Sequence, residues 1–297
     1  MEHIQECPIC GSKHFENIFT CKDHSISQQN FGLIRCRSCQ FIMTSPRPAE
    51  AELGQYYASD QYISHSDTNK GLINKLYRQI RKITLRNKIR ILKQHSSHLD
   101  LLDIGSGAGY FLNHARSSGY QVSGIEPDPD TRKRSIDLFN LEVWNEDQLD
   151  LWPDAQFGMI TLWHVLEHVS DLNRRLEQIH RLLKNDGLLV IAVPNCSSFD
   201  ATHYQDYWAG YDVPRHLWHF TPETIGKLLE KHHFACTETL PMIFDSFYVS
   251  MLSEKYKGSP WALVSGFING LMSNINAIIS NKKRYSSQIY LFRKQKS

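Results

Sequence analysis

Residues 101–111 read LLDIGSGAGYF, an apolar run that opens into three glycines separated by small residues. Glycines at this spacing let a backbone come very close to a bound ligand. The stretch is not a triphosphate loop, because the GxxxxGK[ST] pattern of such a loop needs a lysine that is missing here. It also fits a dinucleotide loop poorly, because Tyr110 stands where the GxGxxG pattern needs a small residue.

The apolar runs around this stretch alternate with helical patterns. Clear strand candidates are LDLLDIG, YQVSGIE, FGMITLW and GLLVIAV, and the weaker LEVW lies between the second and the third. Two more strand candidates, FACTETLPMIF and SSQIYLFRK, come near the end. Strands that alternate with helices predict an α/β fold, a doubly wound sheet of seven mostly parallel strands.

Two carboxylates mark the ends of the first two predicted strands. A carboxylate at Asp103 would repel a pyrophosphate and suit a ligand that carries an ammonium group. Glu126 lies about twenty residues past the glycines, where a carboxylate can accept hydrogen bonds from both hydroxyls of a ribose. We therefore expect a ribonucleoside with an amino-bearing tail, and S-adenosylmethionine fits this description.

Four longer motifs, DIGSGAGYFL, GIEPD, FGMITLWHVLEHV and LLKNDGLLVIAVPN, resemble those of class I S-adenosylmethionine-dependent methyltransferases. The similarity is to the small-molecule branch with ubiquinone-pathway and sugar enzymes, and it implies S-adenosylmethionine as cofactor. The implied activity is methylation of a small molecule, expected to be a sugar, nucleotide sugar or lipid-linked glycan. The implied cofactor-binding residues are Asp103, Gly105, Ser106, Gly107, Gly109, Glu126, Pro127, Asp147, Gln148 and Trp163.

Four of the seven cysteines form two CxxC pairs, CPIC (Cys7, Cys10) and CRSC (Cys36, Cys39). Each tight turn aims both thiolates at one point, so the two pairs can complete a tetrahedral sulfur site for Zn²⁺. A β-hairpin between the pairs would absorb the long spacing. We expect residues 1–48 to form a zinc-ribbon-like module in which the structural metal substitutes for a core. The alternative is four unrelated core thiols.

A basic helical linker is expected at residues 49–97, before a methyltransferase domain at 98–297. Leu and Ile recur at three- and four-residue steps between residues 68 and 95, which predicts a helix. We favour the interpretation that the basic residues of this helix form a solvated face. The alternative is a surface that attracts a phosphorylated substrate, lipid headgroups or RNA. Its cations are Lys70, Lys75, Arg78, Arg81, Lys82, Arg86, Lys88, Arg90 and Lys93.

The segment WHVLEHV follows the predicted strand FGMITLW and contains His164, Glu167 and His168. Its HxxEH spelling also occurs in inverted zinc proteases, but the strand context favours the floor of the cofactor pocket. His164 is therefore a candidate base or substrate contact. Glu167 and His168 are expected to cap the next helix or, as the resemblance to ubiquinone-pathway enzymes implies, to hold an auxiliary metal ion.

A substrate loop is predicted at residues 196–221, where aromatic and cationic residues crowd together. Loops at the carboxyl ends of parallel strands line the ligand crevice. The predicted substrate contacts are Trp208, Tyr211, Arg215 and His219, and His216 is the second candidate base. A compact loop pinned by an Arg–Asp pair and aromatic packing would contain the same residues.

The formal charge of +2 argues against a global attraction to nucleic acid or membranes. The first residues lack the pattern of a secretory signal, so we expect a cytoplasmic protein. Residues 259–280 carry no charge and lie in a predicted helical insertion at about 248–283. We expect this segment to be a buried cap or a dimer surface, with peripheral membrane contact as the second interpretation. An RNA methyltransferase and a noncatalytic cofactor-binding scaffold remain the alternative functions.

Overall fold

The computed structural model describes residues 1–57, 72–280 and 282–295. Its strands are β1 (Phe15–Lys22), β2 (Asn30–Cys36), β3 (Ile42–Thr44), β4 (Asp100–Ile104), β5 (Gln121–Ile125), β6 (Val143–Trp144), β7 (Phe157–Trp163), β8 (Leu183–Pro194), β9 (Trp218–His219), β10 (Phe234–Pro241) and β11 (Ser287–Lys294). Its α-helices are α1 (Glu50–Leu53), α2 (Leu72–His95), α3 (Tyr110–Ser117), α4 (Pro129–Phe139), α5 (Gln148–Leu151), α6 (Leu172–Leu182), α7 (Phe199–Tyr204), α8 (Pro222–Lys231), α9 (Asp245–Tyr256) and α10 (Ala262–Ile279).

The larger sheet has seven strands in the order β10-β11-β8-β7-β4-β5-β6. The five strands from β8 to β6 run parallel, and β11 is antiparallel to both of its neighbours. Nearly every residue of β7 and β4 is buried, as expected for strands that are covered by helices on both faces. The predicted seven-stranded, mostly parallel α/β sheet is confirmed.

Helix α2 begins at Leu72 in the described part of the chain, within the range predicted from the apolar spacing. Ile89, Ile91 and Leu92 are buried against Leu101 of β4 and against α3. Lys70 and residues 68–71 of the predicted helix lie outside the described residues. The helix is therefore packed on the sheet along one stripe.

The N-terminal residues form a second sheet in the order β1-β2-β3-β9. The expected hairpin between the two cysteine pairs is present, since β1 and β2 are antiparallel neighbours. Strand β3 pairs with β9, so Met43 lies opposite Trp218. The division into domains at 48 and 97 stays a prediction, and one strand of this small sheet comes from the segment predicted as the substrate loop.

Helices α9 and α10 form an antiparallel helical hairpin at the predicted insertion and contact each other extensively. A Cβ atom added at Gly266 would lie 2.4 Å from the Cα of Met251, and one at Gly270 would lie 2.8 Å from the Cα of Phe247. The two backbones can approach this closely only because these residues are glycines. Among the described helices, α10 alone is long and apolar enough to cross a membrane by length and composition, and 28% of it is buried.

Candidate cofactor and acceptor site

The glycine turn connects β4 to α3 at the carboxyl edge of the sheet. Gly105, Gly107 and Gly109 all have positive φ, at 72°, 54° and 79°. A Cβ atom at Gly105 would lie 2.4 Å from the side chain of Val165, whereas one at Gly107 would meet no atom within 4 Å. The turn is therefore packed at its start and opens into free space at its middle glycine, where a ligand can approach the backbone.

Glu126 follows β5 and points its carboxylate at the glycine turn. Its Oε2 accepts a hydrogen bond from the Gly107 N–H at 2.8 Å, and its Oε1 accepts one from the Asp128 N–H at 3.0 Å. Burial raises the pKa of Glu126, against the effect of these two bonds. Each carboxylate oxygen has two lone pairs, so each oxygen can still accept a hydrogen bond from a hydroxyl group. This arrangement suits the two hydroxyls of a ribose.

Asp103 is buried in β4, where it accepts a hydrogen bond from Thr161 Oγ1 at 2.6 Å. Burial raises the pKa of Asp103, and the Thr161 bond and the charge of Lys88 oppose that rise. The Lys88 ammonium lies 4.2 Å from the ring centre of Trp163, and burial lowers its pKa. The sequence-based assignment of Lys88 to a solvated face is therefore wrong, because this lysine turns into the crevice.

Two polar atoms of predicted cofactor residues lack a hydrogen-bond partner within the described residues. They are Ser106 Oγ and Trp163 Nε1, and both are fully buried. A nucleoside with an amino-acid tail offers donors and acceptors for such atoms, so the residues present fit S-adenosylmethionine. Pro127 and Asp147 are exposed nearer the rim and Gln148 is half-buried, and their cofactor contacts stay predictions.

His164 follows β7 and is held between two carboxylates. Its Nδ1 lies 3.3 Å from Glu167 Oε1, and its Nε2 lies 3.0 Å from Asp245 Oδ2. Burial works against a charge on this ring, but the bonds to Asp245 and Glu167 outweigh burial and raise its pKa to about 10. Both ring nitrogens of His164 face carboxylates in this arrangement, and its role as base or substrate contact stays a prediction.

His216 and His168 meet at right angles, with ring centres 4.5 Å apart. His216 Nδ1 lies 2.9 Å from the carbonyl oxygen of Gly210, and His168 Nδ1 lies 2.9 Å from the Tyr57 hydroxyl. Burial and the neighbouring His216 lower the pKa of His168 to about 4. His168 is therefore a neutral ring. Because the Nδ1 of His216 lies against the Gly210 carbonyl, Nε2 is the ring atom of His216 that remains to receive a proton from an acceptor hydroxyl.

Glu167, His168 and His216 could also hold a metal ion. Each offers one ligand atom, and the three atoms lie within 4.8 Å of one another. Glu167 Oε1 lies 3.3 Å from His164 Nδ1, and Glu167 Oε2 has no hydrogen-bond partner within the described residues. Two imidazoles and a carboxylate are ligands that zinc and other divalent transition metals accept, so the set fits an auxiliary ion.

Arg215 does not line the crevice as the sequence predicts. Its side chain is 1% exposed, and its Nη2 lies 2.6 Å from Asp212 Oδ1 and 3.0 Å from Asp23 Oδ1. Because both carboxylates are close, the guanidinium is already used by the protein. The expected two-point contact with a substrate is wrong in this structure, and Arg215 pins the segment to the N-terminal sheet.

The aromatic residues of the same segment are buried as well. Trp208 is 2% exposed and donates its indole N–H to Asp200 at 2.8 Å. Tyr211 packs edge-on against Trp208, with ring centres 5.0 Å apart. His219 lies with its Nε2 3.0 Å from Thr44 Oγ1, and burial lowers its pKa. The structure thus places these predicted substrate contacts in the interior, as packing between the segment and the N-terminal sheet.

The four-cysteine cluster, Cys7, Cys10, Cys36 and Cys39, comes together at the tips of the two turns. All four sulfur atoms lie within 4.8 Å of one another, and the Cys7–Cys39 and Cys10–Cys36 pairs are each 3.5 Å apart. Tetrahedral zinc with bonds of about 2.3 Å separates its sulfur ligands by about 3.8 Å. The cluster fits a structural Zn²⁺ whose four positions are all filled by protein.

Three residues that the sequence did not assign to the cofactor and acceptor site belong to it: Lys88, Tyr57 and Asp245. Lys88 is three and four residues from the buried Ile91 and Leu92, and that spacing was the available signal for its inward direction. Tyr57 and Asp245 reach the histidines from elements far away in the sequence, so no local pattern marks them.

Residues 75–239 match a family model described as a methyltransferase domain. A ubiquinone biosynthesis O-methyltransferase from Rhodopseudomonas palustris (strain TIE-1) is 28% identical over 178 residues, which cover 54% of this chain and 66% of that enzyme. One from Bradyrhizobium diazoefficiens is 27% identical over 162 residues, or 50% of this chain and 63% of that enzyme. The chain therefore matches slightly less than two thirds of the length of these relatives.

A solved structure shows the same fold. The magnesium protoporphyrin IX methyltransferase from Synechocystis PCC 6803, with bound SAH, has a TM-score of 0.55 and 12% identity, and the match covers 83% of this chain and all of that one. The family model covers more than half of the sequence, and the sheet order and glycine turn agree with it. This chain therefore belongs to the class I S-adenosylmethionine-dependent methyltransferases.

Proposed function

We propose that this protein transfers a methyl group from S-adenosylmethionine to a hydroxyl oxygen of a small-molecule acceptor. The observation that carries this proposal is the pair of bonds from the Gly107 and Asp128 N–H groups to Glu126, which aim a buried carboxylate at the open glycine turn. The names of the relatives, ubiquinone biosynthesis O-methyltransferases, support an oxygen acceptor in a small molecule. A cytoplasmic location is part of the proposal.

In this proposal Glu126 and Asp103 bind the cofactor, and His216 takes part in proton transfer. When bound, S-adenosylmethionine supplies a methyl group that is activated on a sulfonium. Glu126 would accept hydrogen bonds from the ribose hydroxyls, and Asp103 near the end of β4 would attract the ammonium group. His216 accepts the proton of the acceptor hydroxyl, and the crevice around it holds the reactants together and keeps water away.

The acceptor class that we propose is a sugar, nucleotide sugar or lipid-linked glycan. The buried positions of the four predicted substrate contacts remove the support for such a substrate that came from these residues of the sequence; they are Trp208, Tyr211, Arg215 and His219. The class now rests on the resemblance of the sequence motifs to the small-molecule branch that includes sugar enzymes. RNA is the competing acceptor, and α2 offers it the exposed cations Lys82, Arg86, Arg90 and Lys93.

The test uses the full chain with radiolabelled S-adenosylmethionine and a fractionated cell extract. Label in the small-molecule or glycolipid fraction supports the proposal, and label in RNA supports the competing acceptor. A protein that binds the cofactor but labels no fraction would be a scaffold, and the proposal would fail.

His216→Ala should lower turnover by about 10²–10⁴-fold, as expected for loss of a general base, with little change in cofactor affinity. His203→Ala is the matched control, because His203 is exposed in the same segment. Equal activity of the two variants would remove His216 from the catalytic step.

A further inference from the structure

Helix α10 exposes its large apolar side chains. Trp261 is 72% exposed, Leu263 is 66% exposed, and Ile279 is 76% exposed. The exposed apolar face consists of Trp261, Leu263, Val264, Phe267, Ile268, Leu271, Met272, Ile275, Ile278 and Ile279. Contiguous apolar surface of this kind marks a site of contact with a protein or a membrane.

The side of the hairpin that faces the protein is made of small and polar residues. The buried residues of α10 are Gly266, Gly270, Ser273, Asn274 and Ala277. The buried residues of α9 are Ser246, Ser250, Ser253 and Glu254. A surface helix of a water-soluble protein turns its apolar stripe inward and its polar residues outward. The hairpin has the opposite arrangement, which suits apolar surroundings.

Most polar groups on the inner side are bound within the protein, whereas Ser250 Oγ and Asn274 Oδ1 have no partner among the described residues. Ser273 Oγ donates to Asp200 at 2.7 Å, and Asn269 Nδ2 donates to Glu254 Oε1 at 3.1 Å. The close approach of the helices at Gly266 and Gly270 follows the GxxxG pattern, in which small residues let helices pack in membranes. The hairpin can therefore lie in an apolar medium with Ser273 and Asn269 still paired.

Cations lie at both ends of the exposed face. Lys255 and Lys257 are exposed where α9 ends, and Lys282 and Lys283 are exposed just past α10. The acidic residues of α9 turn away from this face, since Glu254 is buried and Asp245 pairs with His164. The described hairpin thus presents an apolar face between basic ends, which is complementary to anionic lipid headgroups above acyl chains.

We propose that the α9–α10 hairpin inserts its apolar face into the surface of an anionic lipid bilayer without crossing it. An 18-residue helix is about 27 Å long, shorter than the hydrocarbon core of about 30 Å, and its inner side stays bonded to the protein. A second copy fits this face less well. A twofold dimer pairs the face with itself, which brings basic ends together whether the helices run parallel or antiparallel.

The experiment measures binding of the full chain to vesicles by flotation. Vesicles of phosphatidylcholine with phosphatidylglycerol should bind the protein more strongly than vesicles of phosphatidylcholine alone. Phe267→Ser and Ile268→Ser should each lower the partition coefficient about tenfold, the effect of removing one buried apolar side chain. Leu151→Ser is the matched control, because Leu151 is 74% exposed but lies on α5.

Cofactor affinity of each variant shows that it is folded, so failure of vesicle binding is distinct from failure of the proposed methyl transfer. Absence of binding to either vesicle would overturn the proposal. Equal loss in Leu151→Ser and Phe267→Ser would overturn it too. A dimer in sedimentation that Phe267→Ser dissociates, together with no vesicle binding, would assign the face to a second copy.

Discussion

Replacement of Glu126 by alanine should weaken cofactor binding more than any other single change at the crevice rim. The carboxylate is 8% exposed and has one unused lone pair on each oxygen after bonding to the Gly107 and Asp128 N–H groups. A hydrogen bond to a charged group contributes about 1.5–3 kcal/mol, so two ribose hydroxyls account for about 3–6 kcal/mol. The expected loss of affinity is therefore about 10²–10⁴-fold.

Isothermal titration calorimetry with S-adenosylmethionine measures this loss. Glu126→Gln keeps one oxygen acceptor without the charge, so its affinity should lie between those of wild type and Glu126→Ala. The exposed Glu142→Ala, just before β6, the strand next to β5, is the control and should bind normally. If folded Glu126→Ala binds the cofactor within about threefold of wild type, the ribose assignment is wrong.

Three further changes test other parts of the structure. Arg215→Ala should lower the free energy of unfolding by about 3–5 kcal/mol in denaturant titrations, because it leaves the buried carboxylate of Asp23 and the partly buried one of Asp212 without their cation. Normal stability with a raised KM would restore a substrate role. Gly109→Ala should cost at least about 1–2 kcal/mol, because φ is 79° there; unchanged thermal unfolding would contradict that turn geometry. Removal of zinc from the four-cysteine cluster by a chelator should lower the unfolding temperature and open the N-terminal sheet to protease; an unchanged digestion pattern would exclude a structural metal.

The sheet and the glycine turn could be predicted because their signals are local. Each central strand is buried on both faces and is therefore a continuous apolar run between turn residues. Asp103 and Glu126 lie at the ends of β4 and β5, so a correct prediction of these two strands also places the two carboxylates. The CxxC spacing is equally local, because only two residues separate the cysteines of each pair. The contacts that join the two pairs, Cys7–Cys39 and Cys10–Cys36, are long range.

The contacts of the 196–221 segment could not be predicted in the same way. Arg215 has two carboxylate partners: Asp212 lies three residues away, but Asp23 lies 192 residues earlier in the chain. The sequence does not show that Asp23 lies beside Arg215. A cation among aromatic residues is therefore equally consistent with the wall of a ligand site and with the protein interior. Two other features depend on tertiary contacts and could not be predicted for the same reason: the inward direction of the Lys88 side chain, and the outward direction of the apolar face of α10. Periodicity shows that a helix has two faces, but tertiary packing decides which one is covered.

The pairing of β3 with β9 has a consequence for biosynthesis. Thr44 and His219, which meet in this small sheet, are 175 residues apart in the chain. A ribosome adds about 5–20 residues per second, so the early strands wait about 10–35 s for their last partner. During that interval Phe41 lacks the indole of Trp218, on which it stacks in the finished protein. Early metal capture by the cysteines would hold the nascent hairpin in shape until translation delivers the missing strand.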